Sequence, residues 1–276
     1  CQDKLYIAGG WAGAWGLPPQ AHVLDELFAY DRQSEYWSIV SRMQIPRRYN
    51  GIAEMAGRVW VVGGETRIAG WAGEGQVLYT VEIYDPASAT WSPGPSLNIA
   101  RTDPFVVSCN GRIYAIGGAA HNAGPKLDSV ESIGPGESAW RFETPLFAPT
   151  RQGHGCALDG VIYCASIDGV FAFDSASGHW DIDLPQPGPI GQGPLLAAYR
   201  GEVWLMGGYG DQRTRCYTPQ TRAWRAGPNL PTGQAWGAAV VVDGQLAIVG
   251  GAHQSEQSAS AIYDDRMYIL REKELA

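Results

Sequence analysis

The chain has 276 residues, 45% of them hydrophobic and 11% aromatic, with a formal net charge of −8 at pH 7. That acidic balance disfavours nucleic acid or an anionic membrane as the principal partner. No run approaches the roughly 20 apolar residues of a spanning helix, so no membrane insertion is expected.

Taken in chain order, short apolar runs end repeatedly at paired glycines. Leu5-Tyr6-Ile7-Ala8 runs into Gly9-Gly10, Val59 to Val62 into Gly63-Gly64, and Ile113 to Ile116 into Gly117-Gly118. Val161 to Ala165 leads into Ser166, where a first glycine is due; Val203 to Met206 precedes Gly207-Gly208, and Leu246 to Val249 precedes Gly250-Gly251. Successive offsets are 54, 54, 49, 41 and 43 residues. A period of roughly 40 to 50 residues marks a repeat architecture.

Two further marks keep step. Tyr30 and Trp37, Tyr84 and Trp91, Ile133 and Trp140, Phe173 and Trp180, and Tyr217 and Trp224 each lie seven residues apart. In the last repeat Tyr263 and Tyr268 stand in their place, two residues closer. Turn glycines at Gly57, Gly111, Gly160, Gly201 and Gly244 precede each first glycine by six residues. Each unit therefore reads as four short strands: a and b joined at turns such as Asn110-Gly111, then c ending in the aromatic residue, then d with the tryptophan. Four-stranded sheets repeated radially make an all-β propeller, here six-bladed and antiparallel, and one domain over residues 1–276 is expected. Cys1-Gln2-Asp3 aligns with Cys109-Asn110-Gly111, so the first blade is expected to lack its strand a in this chain. Either the natural protein extends upstream or the polar tail after Leu270 closes the ring.

The glycine pair, Tyr-Asp-Pro at Tyr84-Asp85-Pro86 and the spaced tryptophan resemble the Kelch repeat over about residues 1 to 270. The resemblance implies a fold and leaves the function open, since Kelch propellers include binding modules and enzymes.

Loops after the glycine pairs are long in the first three repeats, Trp11 to Val23, Glu65 to Tyr79 and Ala119 to Asp128, and the fourth has only Ile167-Asp168-Gly169. Such an uneven rim favours one oriented partner. Trp11, Trp15 and Trp71 lie in the glycine-rich loops, either folded back on the rim or forming a platform for a ligand. Arg67 lies in the second long loop. Arg47 and Arg48, Arg101 and Arg151 precede strand a of three successive repeats. Either local acids such as Glu65 and Asp103 neutralise them, or an anionic ligand does. In Kelch propellers that this chain resembles, such arginines line the channel mouth and contact acidic ligands.

The cysteines show no CxxC and the histidines no HxH or HxxxH pair, so neither a metal nor another cofactor is expected. A two-residue turn would set Cys156 opposite Tyr163, which argues against its pairing with Cys164. Unpaired thiols lean towards a reducing, cytoplasmic setting. The first expectation is a non-catalytic module binding an acidic peptide or protein segment at Arg47, Arg48, Arg101, Arg151 and the tryptophans. The resemblance implies a possible role as substrate receptor in a BTB or F-box ubiquitin ligase. The alternative is a mutarotase or epimerase of an anionic sugar such as sialic acid. There Arg101 or Arg151 would hold the carboxylate and His154 or Glu65 would move a proton.

Overall fold

The computed structural model describes residues 4–12, 22–67, 75–121, 124–242, 244–254, 261–263 and 267–270. Its internal contacts group the chain into two units, Cys1–Arg151 and Gln152–Ala276.

The first unit holds three antiparallel sheets. Blade 1 has strands Leu5–Ala8, Glu26–Asp31 and Tyr36–Arg42, with Leu5–Ala8 at its edge, so among the described residues strand a is missing, as expected. Blade 2 is Gly51–Met55, Arg58–Val62, Val81–Asp85 and Thr90–Gly94. Blade 3 is Phe105–Cys109, Arg112–Ile116, Val130–Ile133 and Arg141–Phe142. In the second unit, blade 4 is His154–Leu158, Val161–Ser166, Gly169–Asp174 and His179–Trp180. Blade 5 is Leu195–Tyr199, Glu202–Met206, Thr214–Thr218 and Ala223–Ala226.

Blade 6 departs from the expected pairing. Its sheet is Ala238–Val242, Gln245–Val249 and Met267–Leu270, with Ile248 opposite Tyr268. Ala261–Tyr263 instead pairs with Ala252–Gln254 in a separate two-stranded ribbon. Tyr263 and Tyr268 are therefore not a shortened copy of the aromatic pair; they belong to different sheets.

The repeat marks have direct structural causes. At the a–b turns both residues take positive φ, 48° and 74° at Asn110-Gly111 and 51° and 82° at Asp159-Gly160, the type I′ geometry that matches strand twist. The seven-residue spacing places Tyr84 directly opposite Trp91 and Tyr217 opposite Trp224, with ring centroids 5.2 and 5.1 Å apart. The indole N–H then reaches the preceding blade. Trp91 donates to Ser41 Oγ at 2.9 Å, Trp140 to the Pro95 carbonyl at 2.8 Å, and Trp224 to the Pro185 carbonyl at 2.7 Å. Each ring, half-buried at Trp91 and Trp224 and buried at Trp140, is thus anchored at its polar end, which is how an indole is kept in a packed seam without an orphaned donor.

The glycine pair serves a close backbone approach. Gly63 sits at φ 61°, and a Cβ there would stand 2.7 Å from the Arg101 carbonyl, which accepts the Gly64 N–H at 2.9 Å. Only glycine allows both the left-handed backbone and that contact. Blade 4 does not need the bend: strand b runs on to Ser166, which pairs with Gly169 across a tight turn. That accounts for the serine.

Strand a is locked to its own blade by a buried clamp. Arg47, 0% exposed, donates to the carbonyls of Gly63 and Thr80 and to Glu82 Oε1 at 2.6 Å. Glu82 also accepts the backbone N–H of Gln44 and Ile45. Blade 3 repeats this with Arg101 on Gly117, Ser129 and Glu131, while Glu131 accepts from Asn98 and Ile99. In blade 6 Gln234 takes the arginine's place, donating to the Gly250 carbonyl at 2.6 Å.

In blade 5 the polarity is reversed. Arg215 lies opposite Leu205, the register at which Glu82 faces Val61 and Glu131 faces Ala115. Pro189, matching Ile45 and Ile99, has no N–H for a carboxylate to accept. Its carbonyl instead accepts from Arg215 at 2.9 Å, and Asp211 pairs the guanidinium at 3.3 Å.

Among the described residues no helix is long and apolar enough to cross a membrane. Cys156 stands opposite Tyr163, as the turn length implied, and no disulfide joins the described cysteines. Burial pushes the Cys216 thiol up to about 12 and raises Cys156 and Cys164 as well, so these thiols stay protonated and unreactive.

Candidate functional site

The clamp removes two arginines from the list of ligand contacts. Arg47 and Arg101 are both 0% exposed and hold carbonyls and a glutamate of their own blade. Burial pulls both guanidinium pKa values down, with the paired glutamates opposing it. The expectation that these two contact an acidic partner is corrected: their charge is answered inside the fold. Arg101 is in register with Arg47, sixteen residues before the first glycine, whereas Arg151 is in register with Arg48.

Arg48, Arg67 and Arg151 behave differently. Arg48 forms a short β-bridge with Glu65, and its side chain donates to Glu65 Oε1 through Nη2 at 2.6 Å and Nε at 3.2 Å. Its guanidinium lies over Trp11 at 4.6 Å and Tyr49 at 4.7 Å, and Arg67 covers the same indole at 5.5 Å. Arg67 Nε is 3.8 Å from Glu65 Oε1, an ion pair without a hydrogen bond. Glu65 is 0% exposed, walled in by Gly75, where a Cβ would stand 2.3 Å from its side chain.

Asp103 completes the group. It takes φ 52°, the same left-handed turn as Tyr49 one blade earlier, and its N–H donates to the Tyr49 carbonyl at 2.9 Å. Its carboxyl is pushed up to about 6, chiefly by burial; Glu65 adds to the rise, and Arg151 and Arg48 oppose it. Such a value lets one carboxyl both give and take a proton near neutral pH.

The group is rich in unanswered polar atoms. Thirteen buried side-chain N or O atoms lack a hydrogen-bond partner among the described residues, and six of them are here. Trp11 Nε1, Arg67 Nε and Arg151 Nη1 are donors; Glu65 Oε2 and Asp103 Oδ2 are acceptors; Thr102 Oγ1 can be either. Buried polar groups are normally paired, so their concentration in one place needs an explanation, and a ligand supplies one.

His154 belongs to the other unit. It opens strand a of blade 4 in the second unit, and its Nδ1 donates to the Leu196 carbonyl at 2.9 Å. Burial lowers its pKa, so the ring is neutral and held in place. Trp15 and Trp71 lie outside the described residues. Among the described residues no three His, Cys, Asp or Glu side chains come together as a metal site would. Asp103 and Thr102 were not singled out as ligand contacts by the sequence, where Asp103 figured only as a neutralising neighbour. Their position immediately after the clamp arginine is the signal that marks them.

Comparison with known proteins agrees with this architecture. The family model for the Kelch motif matches residues 46–98 and 100–146. Kelch-like protein 25 of Xenopus tropicalis is 28% identical over 240 residues, covering 83% of this chain and 39% of that protein. Alpha-scruin of Limulus polyphemus is 25% identical over 265 residues, covering 90% of this chain and 24% of its own length. The chain thus spans well under half of these curated relatives. The solved structure of YjhT superposes with a TM-score of 0.73 at 15% identity, covering 96% of this chain and 97% of that one, a likeness of fold.

Proposed function

Because the chain is a six-bladed Kelch-repeat β-propeller, a fold that binds ligands or protein surfaces, we propose that the Arg48–Glu65–Asp103–Arg151 group binds a small anionic sugar. The observation that carries this is the mixed character of the unanswered atoms. A carboxylate answers Arg151 Nη1 and Arg67 Nε, and hydroxyl groups answer Glu65 Oε2 and Asp103 Oδ2. An acidic peptide offers many acceptors and few hydroxyl donors, so it would leave the two carboxylates facing its own charge. Recession points the same way: Arg48 is 3% exposed and Glu65 0%, within reach of a small molecule more than of an extended chain. Trp11 offers a face for the C–H side of a sugar ring.

Recognition alone satisfies these contacts. Mutarotation of the same ligand is a second reading, favoured by the raised pKa of Asp103. In that reaction the anomeric O–H loses its proton, the bond from the anomeric carbon to the ring oxygen breaks, and the ring oxygen gains a proton. Closure on the other face reverses each step, so no electron acceptor is needed. Asp103 is then the proton carrier and Arg151 the carboxylate holder.

The test is calorimetric titration of sialic acid, glucuronic acid and an acidic peptide into wild type, Arg151→Ala and Asp103→Asn, with anomer exchange followed by NMR. Binding of a sugar acid should weaken at least about tenfold in Arg151→Ala, as loss of a charged hydrogen bond implies. Asp103→Asn should retain binding and lose any accelerated anomer exchange. Failure of both acids to bind, with the peptide binding through Arg151, would return the acidic-segment reading.

A further inference from the structure

The rim positions that make the charged group recur in the second unit with uncharged side chains. Gln192 and Tyr209 occupy the places of Arg48 and Glu65: each pair is separated by seventeen residues, and the Tyr209 N–H donates to the Gln192 carbonyl at 2.8 Å, as Glu65 does to Arg48. Trp236 occupies the place of Asp103. It has φ 56°, and its N–H donates to the Gly193 carbonyl at 2.9 Å, just as Asp103 donates to Tyr49.

Here the rings lie outward. Trp236 is 45% exposed, and its indole packs on Tyr209 with centroids 5.3 Å apart and planes 34° from parallel. The indole rests on Gly193, where a Cβ would stand 2.4 Å from it. Glycine at 193 shows what this turn position costs least to hold, because left-handed φ is strained for a bulky residue. Placing a tryptophan at the equivalent position, with its ring half in water, favours neither the turn nor the core. A strained, exposed, immobilised aromatic residue points to a ligand. Two exposed glutamines adjoin Tyr209: the Gln192 carbonyl accepts its N–H, and Gln254 Oε1 lies beside Gly210. The nearby charged side chains are engaged with one another, Arg213 and Arg215 both pairing with Asp211, at 2.8 and 3.3 Å.

We propose that Trp236 and Tyr209, flanked by Gln192 and Gln254, form a second binding site for the face of an uncharged pyranose in a neutral oligosaccharide. The flat C–H face of the sugar stacks on the indole, and the amides offer paired donors and acceptors to adjacent hydroxyl groups. The proposed contacts are all uncharged side chains, which separates this site from the anionic one, and it stands whether or not that reading holds.

The experiment is saturation-transfer NMR and calorimetry with glucose, xylose and mannose hexasaccharides. At least one should bind, and Trp236→Ala should weaken it about tenfold with an unchanged melting temperature. Gly193→Ala, which displaces the indole without removing it, should weaken binding as well, and Arg151→Ala should leave it unaltered. The proposal falls if none of the hexasaccharides binds, if binding survives both Trp236→Ala and Gly193→Ala, or if only a proline-rich peptide docks on the rings.

Discussion

Blades 2 and 3 close on themselves through a buried arginine and a buried glutamate, whereas blades 5 and 6 reach the same geometry with other chemistry. In the first pair one carboxylate ties two backbone N–H groups and a guanidinium, and the guanidinium ties two carbonyls. Among the described residues blade 6 shows the Gln234 amide on the Gly250 carbonyl in place of that network. Blade 5 reverses the charges, and Arg215 Nη1 is left without a partner among the described residues. The repeat therefore conserves the backbone contacts and lets side-chain polarity vary. The lock is tightest where it is fully paired.

Glu131→Ala should break this contrast most severely. It strands the Arg101 charge and leaves the N–H groups of Asn98 and Ile99 unanswered, a loss of about 3–5 kcal/mol in urea unfolding. Gln234→Ala, measured the same way, should lose only about 1 kcal/mol. Equal losses would dissolve the distinction between the blades.

Arg215→Glu sharpens it. The new carboxylate would face Asp211 and the carbonyl of Pro189, with no N–H at residue 189 to accept, so a loss of about 3 kcal/mol is expected. Adding Gly191→Arg should not restore wild-type stability, because the proline still lacks a donor. Full rescue would show that the pair alone makes the lock.

The pH dependence of the first unit comes next. The Asp103 carboxyl sits at about 6 in the folded chain against an ordinary 3.8, so the native state holds its proton more tightly than the unfolded chain. Stability from this group is full below about pH 4 and is lost as pH rises through 6, by at most about 3 kcal/mol. Asp103→Asn should lack that slope in unfolding midpoints taken between pH 4 and 7. Smallest is Ser41→Ala, which removes the acceptor of the Trp91 indole and should cost about 1 kcal/mol or less.

Fold and site were unequally legible from sequence. The glycine pairs, the a–b turns and the tyrosine–tryptophan spacing each report one backbone contact that repeats, so they survive in any single copy. Blade 6 misled because Tyr263 keeps the aromatic residue but not the pairing: Met267–Leu270 takes the place of strand c. The arginines misled through a register error of one residue. Arg47, Arg101 and Gln234 stand sixteen residues before a first glycine and turn inward; Arg48 and Arg151 stand one place later. An exact count to either glycine mark separates them, because the two marks keep a fixed spacing of six residues. The count marks Asp103 only by its place two residues after the clamp arginine; its significance lies in burial beside residues from another blade.

The clamp also defines where a blade begins for anyone wishing to graft one. A graft cut at Gly51, the first residue of strand a, would discard Arg47 together with the Gln44 and Ile45 amides and deliver Glu82 to its new host as a bare buried anion. The transferable module starts at Gln44, inside what resembles a linker.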